Sequence, residues 1–304
     1  MRQSVAMALW LFTALIAATP LQAAAVLRVA YAGSMGVVMD RHLGPAFAQA
    51  EGVDYQGIGQ GAYGLARLLA ARALRADVFV SITPGPVAVL QQAGLVDRMV
   101  PIASTQMVIT YSPRSRFAPA LRAAAQGRRP WWQVLETPGL RFGRTDPAVD
   151  PQGQNIVFTL LLAERYYRQP ELVRRILGGV RNPAQIFTEP SLLSRLQAGQ
   201  LDAASGYRSA AISHQLPYIT LPDAINLSDP ARLTDASRPV QFTLRLPNGK
   251  SASLHPQPLV FYAAVLKNAA QPKLAQAFVD YLRGAQGQAL LRAQGYGPAP
   301  DHAH

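Results

Sequence analysis

No cysteine occurs anywhere in the 304 residues. Disulfides, thiolate metal sites and a lipid-modified cysteine behind an export leader are therefore excluded. Histidine is scarce as well: the five are isolated, none forms the H-x-x-x-H spacing of a metal centre, and His302 and His304 sit in a loose C-terminal tail. No G-x-S-x-G elbow surrounds any serine, which removes a common hydrolase signature. After residue 25 no apolar run is long enough to span a bilayer. Acidic side chains are few, 17 against 29 Lys and Arg, for a formal charge of +12. The arginines are spread at helical spacing (Arg67, Arg72, Arg75; Arg174, Arg175) rather than gathered into a basic run interleaved with aromatics, so no nucleic acid is expected as a partner. A diffuse positive field still speeds encounter with a small anion.

What is present begins with Arg2, an apolar run from about Ala6 to Ala18, Pro20, and the small residues Ala23, Ala24 and Ala25. That order reads as a cleaved export leader over 1–25, with the mature chain starting near Val26. An exported chain without a lipid cysteine points to the periplasm. The remaining chain, roughly 280 residues, is more than one core usually serves, so two lobes are expected.

Val26–Ala32, Val53–Gln56 and Asp77–Ser81 read as strands separated by helical patterns, one of them carried by Leu65, Leu68, Leu69 and Ala73. Strand, helix, strand, helix, strand is the doubly wound α/β order, with ligands expected at the carboxyl ends of the strands. Ser34 and Ser81 fall at such ends. Gly59, Gly61 and Gly64 spell G-x-G-x-x-G, yet the acidic residue a dinucleotide site needs is missing from the end of the next strand. These glycines are assigned instead to a tight turn and close helix packing, and no cofactor is expected. The strand Gln106–Tyr111 opens a second lobe and Tyr218–Leu221 leads back, dividing the mature chain into 26–105 plus 225–304 and 106–224.

The stretch Gly143–Asn155 organises the rest. Asp150 is followed by Pro151, which suits the first position of a helix because proline has no N–H to leave unsatisfied there, so Asp150 is the expected N-cap. Gly153 stands where a capping box would place Glu or Gln, baring the first turn, and a bare helix start favours an oxyanion. A second helix start, near Pro190 and Ser191, follows in the same lobe, and Tyr207 lies at the mouth of a short strand. Hydroxyls and amides of this kind form a donor shell suited to a fully deprotonated anion, which offers acceptors only.

These residues resemble the solute-binding proteins of ABC importers that capture molybdate and tungstate. The similarity rests on Ala32-Gly-Ser34, Ala76-Asp-Val-Phe-Val-Ser81, Asp146-Pro147 with Asp150-Pro-Gln-Gly153, Ala163-Glu-Arg-Tyr-Tyr167, Leu201-Asp202 with Tyr207-Arg-Ser209, Ile225-Asn-Leu-Ser228 and Val265-Leu-Lys-Asn268, in the family's order and over almost all of the mature chain. The resemblance implies a two-lobed type II periplasmic binding fold, doubly wound sheets joined by a hinge, and a tetrahedral oxyanion clasped between the lobes. Carried over, Ser34 and Ser81 act from one lobe, and Asp150, Gln152, Gly153, Ser191 and Tyr207 from the other. It implies a monomer that delivers its ligand to an ABC permease and ATPase. In the branch with the closest pattern a glutamate immediately precedes the tyrosine and joins the aspartate at the metal centre. Here that position is Gly206, so a two-carboxylate, six-coordinate site is not expected; Asp150 either caps its helix and points away from the ligand, which is the favoured role, or coordinates the metal centre directly. Another oxyanion such as sulfate is the alternative ligand. An exported hydrolase built on Asp146 or Asp150 with His214 or His255 is the reading from a different class.

Overall fold

The computed structural model describes residues 24–233 and 239–300, so the expected leader, apart from Ala24 and Ala25, and both C-terminal histidines lie outside it. Strands β1 (Val26–Ala32), β2 (Asp54–Gln60), β3 (Val78–Ile82) and β4 (Val100–Ser104) build a first sheet, and β5 (Met107–Tyr111), β6 (Phe142–Gly143), β7 (Ala203–Tyr207) and β8 (Tyr218–Thr220) a second. A hairpin of β9 (Phe242–Arg245) and β10 (Ser251–Leu254) follows, and β11 (Val260–Val265) returns to the first sheet. The orders are β2-β1-β3-β11-β4 and β6-β7-β5-β8.

β1 is parallel to β2 and β3, as the strand–helix alternation requires, whereas β11 is antiparallel to both β3 and β4. Arriving from the other lobe rather than through a local helix, β11 is free of the crossover constraint that makes neighbouring strands parallel. All of β3 is buried, and its Val-Phe-Val core fits a strand covered on both faces. The chain crosses between sheets at Ser104–Met107. Across that passage Thr105 N–H donates to Leu259 O (2.9 Å), Met107 N–H donates to Asn226 O (2.8 Å), and the buried Asn226 side chain donates to Leu221 O (3.1 Å).

The glycine-rich segment differs from expectation. β2 does not stop at Gln56 but runs through Gly57 and Gly59, with Gly59 in register with Tyr31. A Cβ on Gly59 would stand 2.5 Å from the Tyr31 ring, and one on Gly57 3.0 Å from it. Gly59 therefore makes room for the Tyr31 ring, and Gly57 for the Asp40 carboxylate, whose oxygen a Cβ would meet at 2.2 Å, and neither serves a turn.

Helix Pro151–Tyr166 lies at the centre of the second lobe, buried through its first ten residues. Asp150 caps it in extended geometry, its carboxylate accepting the Gln152 N–H. The β9–β10 hairpin, on the first-lobe side of the boundary in sequence, packs on this helix: the Phe242 and Phe158 rings lie 4.8 Å apart, and Arg165 Nη2 donates to Pro239 O at 3.2 Å. Phe242 and Leu244 alternate inward along β9 and need an apolar face, which the helix supplies.

Candidate functional site

The lobes meet over the organising stretch. From the first lobe, Gly64 N–H donates to Val149 O (3.1 Å) and Arg67 Nη2 to Ala148 O (3.0 Å). Gly61 sits so close that a Cβ there would lie 2.8 Å from Val149 O. Ser34 follows the end of β1 in a short 3-10 turn, 1% exposed, and its hydroxyl has no hydrogen-bond partner. Its main-chain N–H crosses to the second lobe and donates to the carboxylate of Glu189.

The second lobe answers with two carboxylates. Asp150 is 5% and Glu189 2% exposed. Gln152 links them: its N–H donates to Asp150 Oδ1 (2.9 Å) and its Nε2 to Glu189 Oε1 (2.9 Å), while its Oε1 accepts from Ser205 Oγ (2.9 Å). Tyr207, at the end of β7, accepts from Asn155 Nδ2 at 3.0 Å, so its phenolic proton is left to donate elsewhere. A cleft of about 650 Å³ leads to this group between Gly59–Gly61 of one lobe and Thr145, Asp150 and Glu189 of the other. The Thr145 hydroxyl is buried and also without a partner.

Burial governs the charge state. It pushes Asp150 up to about 6, with the Asp146 charge adding to the rise and the Gln152 N–H opposing it. Glu189 is driven well above the usual carboxylate range by burial and then by Asp150. The Tyr207 phenol is raised by burial and by both carboxylates. Because the Asp150 charge raises Glu189, the two acids titrate together rather than independently. The hollow thus combines hydroxyl donors with an acidic pair, not the donor-only shell the sequence suggested.

Among the residues singled out from sequence, Ser34, Asp150, Gln152 and Tyr207 converge on this group. Ser81 is fully buried at the end of β3, but its hydroxyl donates to Ile82 O (2.9 Å) and joins none of these contacts. The Ser191 hydroxyl accepts from Arg195 Nε at 3.2 Å on its own helix, so the residue of that helix start which reaches the hollow is Glu189. Gly153 does not bare the helix start. A Cβ there would meet Thr145 O at 2.4 Å and Pro147 N at 2.6 Å, so the glycine admits the 145–147 backbone. His214, the candidate hydrolytic partner of Asp150, lines a separate cleft with Asp40 and Arg41. Sequence reasoning passed over Glu189, Ser205 and Asn155; the pairing of Glu189 with Pro190 at a helix start was the signal within reach.

Two mixed α/β sheets facing one another across a closed cleft, joined by crossing segments, define a type II periplasmic-binding-protein fold. The periplasmic molybdate-binding protein of Azotobacter vinelandii superposes with a TM-score of 0.60 at 16% identity, over 90% of this chain and all of that one. The family model described as bacterial extracellular solute-binding protein matches residues 27–297, and the chain belongs to that family. An uncharacterized solute-binding protein of Petrotoga mobilis is 30% identical over 195 residues, 64% of this chain and 59% of that one. The molybdate/tungstate-binding protein WtpA of Thermococcus kodakarensis is 29% identical over 214 residues, 64% of this chain and 58% of its own. The chain thus spans less than two thirds of the length of these two relatives. Among the described residues, no helix is long and apolar enough to cross a membrane, and no group of three or more His, Asp or Glu side chains is arranged to hold a resident metal ion.

Proposed function

We propose that this chain is the periplasmic capture component of an ABC importer for molybdate or tungstate, handing its ligand to a membrane permease and its ATPase, and that it acts as a monomer without catalysis. The names of its relatives support the ligand class, and the leader-like sequence of 1–25 supports the compartment. The observation that carries the reading is the buried pair of Asp150 and Glu189 beside the unpartnered Ser34 hydroxyl.

Unit charges 4 Å apart repel by about 4 kcal/mol at an effective dielectric near 20. A sulfate dianion, whose sulfur is saturated at four oxygens, meets that repulsion from each ionised carboxylate. Molybdenum(VI) and tungsten(VI) centres are large enough to accept further oxygens, so the same carboxylates become ligands and their attraction to the metal reverses the sign. Ser34 and Tyr207 then donate to the oxo groups.

X-ray absorption on the tungstate-loaded protein tests this directly. A shell of more than four oxygens is expected, and a plain four-oxygen shell refutes coordination by the pair. The competing ligand is sulfate bound by protonated acids, which the raised proton affinity of the pair permits. Calorimetry showing sulfate bound more tightly than tungstate, and more tightly still as pH falls, would establish that reading instead.

A further inference from the structure

Gln152 holds both carboxylates of the hollow. Its main-chain N–H is on Asp150 Oδ1 and its side-chain Nε2 on Glu189 Oε1, each at 2.9 Å. Ser205 Oγ donates to the Gln152 Oε1, also at 2.9 Å, and holds the far end of the amide. Gln152 and Ser205 are each 1% exposed, and no solvent competes for these bonds.

The two remaining carboxylate oxygens face the first lobe. A Cβ on Gly61 would stand 3.4 Å from Asp150 Oδ2, and a Cβ on Gly33 3.4 Å from Glu189 Oε2. Each acid therefore has one oxygen tied by Gln152 and the other turned toward main chain that carries no side chain, and on the Glu189 side the Ser34 N–H also donates to the carboxylate, leaving it lone pairs for a ligand. A carboxylate fixed at one oxygen cannot rotate to chelate or to withdraw, and outer partners of this kind orient ligating groups.

We infer that Gln152, locked by Ser205, is a positioning residue that sets selectivity: it presents one oxygen from each of Asp150 and Glu189, favouring oxyanions whose central atom adds two oxygen ligands over those saturated at four. This rests on the proposed function and adds a determinant to it. Neither residue contributes through its own contact with the anion. A space-filling role for Gln152 would predict equal losses for every anion.

The test uses the full mature protein, with tungstate and sulfate affinities from calorimetry and the tungsten oxygen count from X-ray absorption. Gln152→Leu keeps the main-chain N–H that caps onto Asp150 but removes the side-chain donor. It is expected to weaken tungstate by about tenfold or more, the scale of one lost buried hydrogen bond to a charged group, to leave sulfate unchanged, and to lower the oxygen count from six toward five. Ser205→Ala is expected to lower the tungstate-to-sulfate ratio to a smaller extent, and to have no further effect once Gln152→Leu is present. Equal losses for both anions, or an unaltered ratio and oxygen count in Gln152→Leu, overturn the inference. Should Gln152→Leu not fold, an unaltered ratio in Ser205→Ala overturns it alone. A wild-type protein that shows only four oxygens, or binds no tungstate, overturns the proposed function, whereas a six-oxygen wild type with unresponsive variants overturns only the role of Gln152.

Discussion

Gly61→Ala should weaken ligand capture without weakening the fold. Gly61 has φ −56° and ψ 120°, a conformation open to alanine, so no backbone strain arises in the isolated lobe. The added methyl would lie 2.8 Å from Val149 O, 3.3 Å from Asp150 Cβ and 3.4 Å from Asp150 Oδ2. All three atoms belong to the opposite lobe, so the clash exists only when the lobes meet. Relieving it requires a shift of roughly half an ångström that lengthens the neighbouring Gly64 N–H bond to Val149 O, now 3.1 Å. Overpacking of this size costs about 1–3 kcal/mol, which corresponds to roughly 5- to 150-fold in dissociation constant. Calorimetry with tungstate reads the loss, and a thermal melt of the ligand-free variant should stay close to wild type. Gly36→Ala is the control, since its Cβ would meet nothing within 4 Å. Affinity for tungstate equal to wild type in Gly61→Ala would refute the closure geometry.

Ser34→Ala removes a buried hydroxyl that has no hydrogen-bond partner in the protein. Its melting temperature should not fall, while tungstate binding weakens by about tenfold, the scale of one hydrogen bond to a charged acceptor; unchanged binding would show that this hydroxyl does not face the ligand. Asp150 holds its proton up to about pH 6 when folded, against 3.8 for its ordinary value. The stabilisation tied to its proton is thus present in full below pH 4 and is lost as pH rises through 6. Asp150→Asn keeps the helix cap and should flatten that decline in denaturation curves measured from pH 4 to 7 without ligand. Asp202 behaves with the opposite sign. Burial pushes it up, but the Arg141 and Ser115 donors more than offset this and hold it below the usual carboxylate range, so its stabilisation disappears as pH falls. Asp202→Ala should cost about 1–3 kcal/mol in urea denaturation, chiefly by stranding the buried Ser115 hydroxyl because the Arg141 guanidinium is exposed to water, and leave tungstate affinity within about twofold, since Asp202 is tied to Arg141 and Ser115 rather than to Gln152 or Glu189.

The legible parts of the site were those encoded locally. Asp150 before Pro151 announces a cap whatever surrounds it, Ser34 follows a strand whose apolar run fixes where it ends, and Tyr207 closes the short strand Ala203–Tyr207. Glu189 was not legible because an acid in the first turn of a helix already has a sufficient local explanation in the helix dipole. Only the packing of helix Glu189–Gln197 across the cleft mouth makes it a partner of Asp150. The glycines of β2 misled for a related reason: glycine lowers strand propensity, and the compensating Tyr31 ring sits on a neighbouring strand 28 residues away by register with Gly59. Gly153 reads as a bared helix start in one dimension and proves to be a packing contact in three. The hairpin's attachment to helix Pro151–Tyr166 was equally invisible, since it joins segments on opposite sides of the return crossing that follows β8.

Part of the seam between the lobes is stitched by peptide groups: Gly64 N–H on Val149 O, and Ser34 N–H on Glu189. Peptide groups are common to every residue, so the clasping motion tolerates exchange of the side chains flanking the seam as long as none adds bulk. Redesigning the guest recognised by this scaffold therefore starts at Asp150 and the glutamine brace, because Glu189 also receives the Ser34 N–H and so serves the jaws as well as the guest.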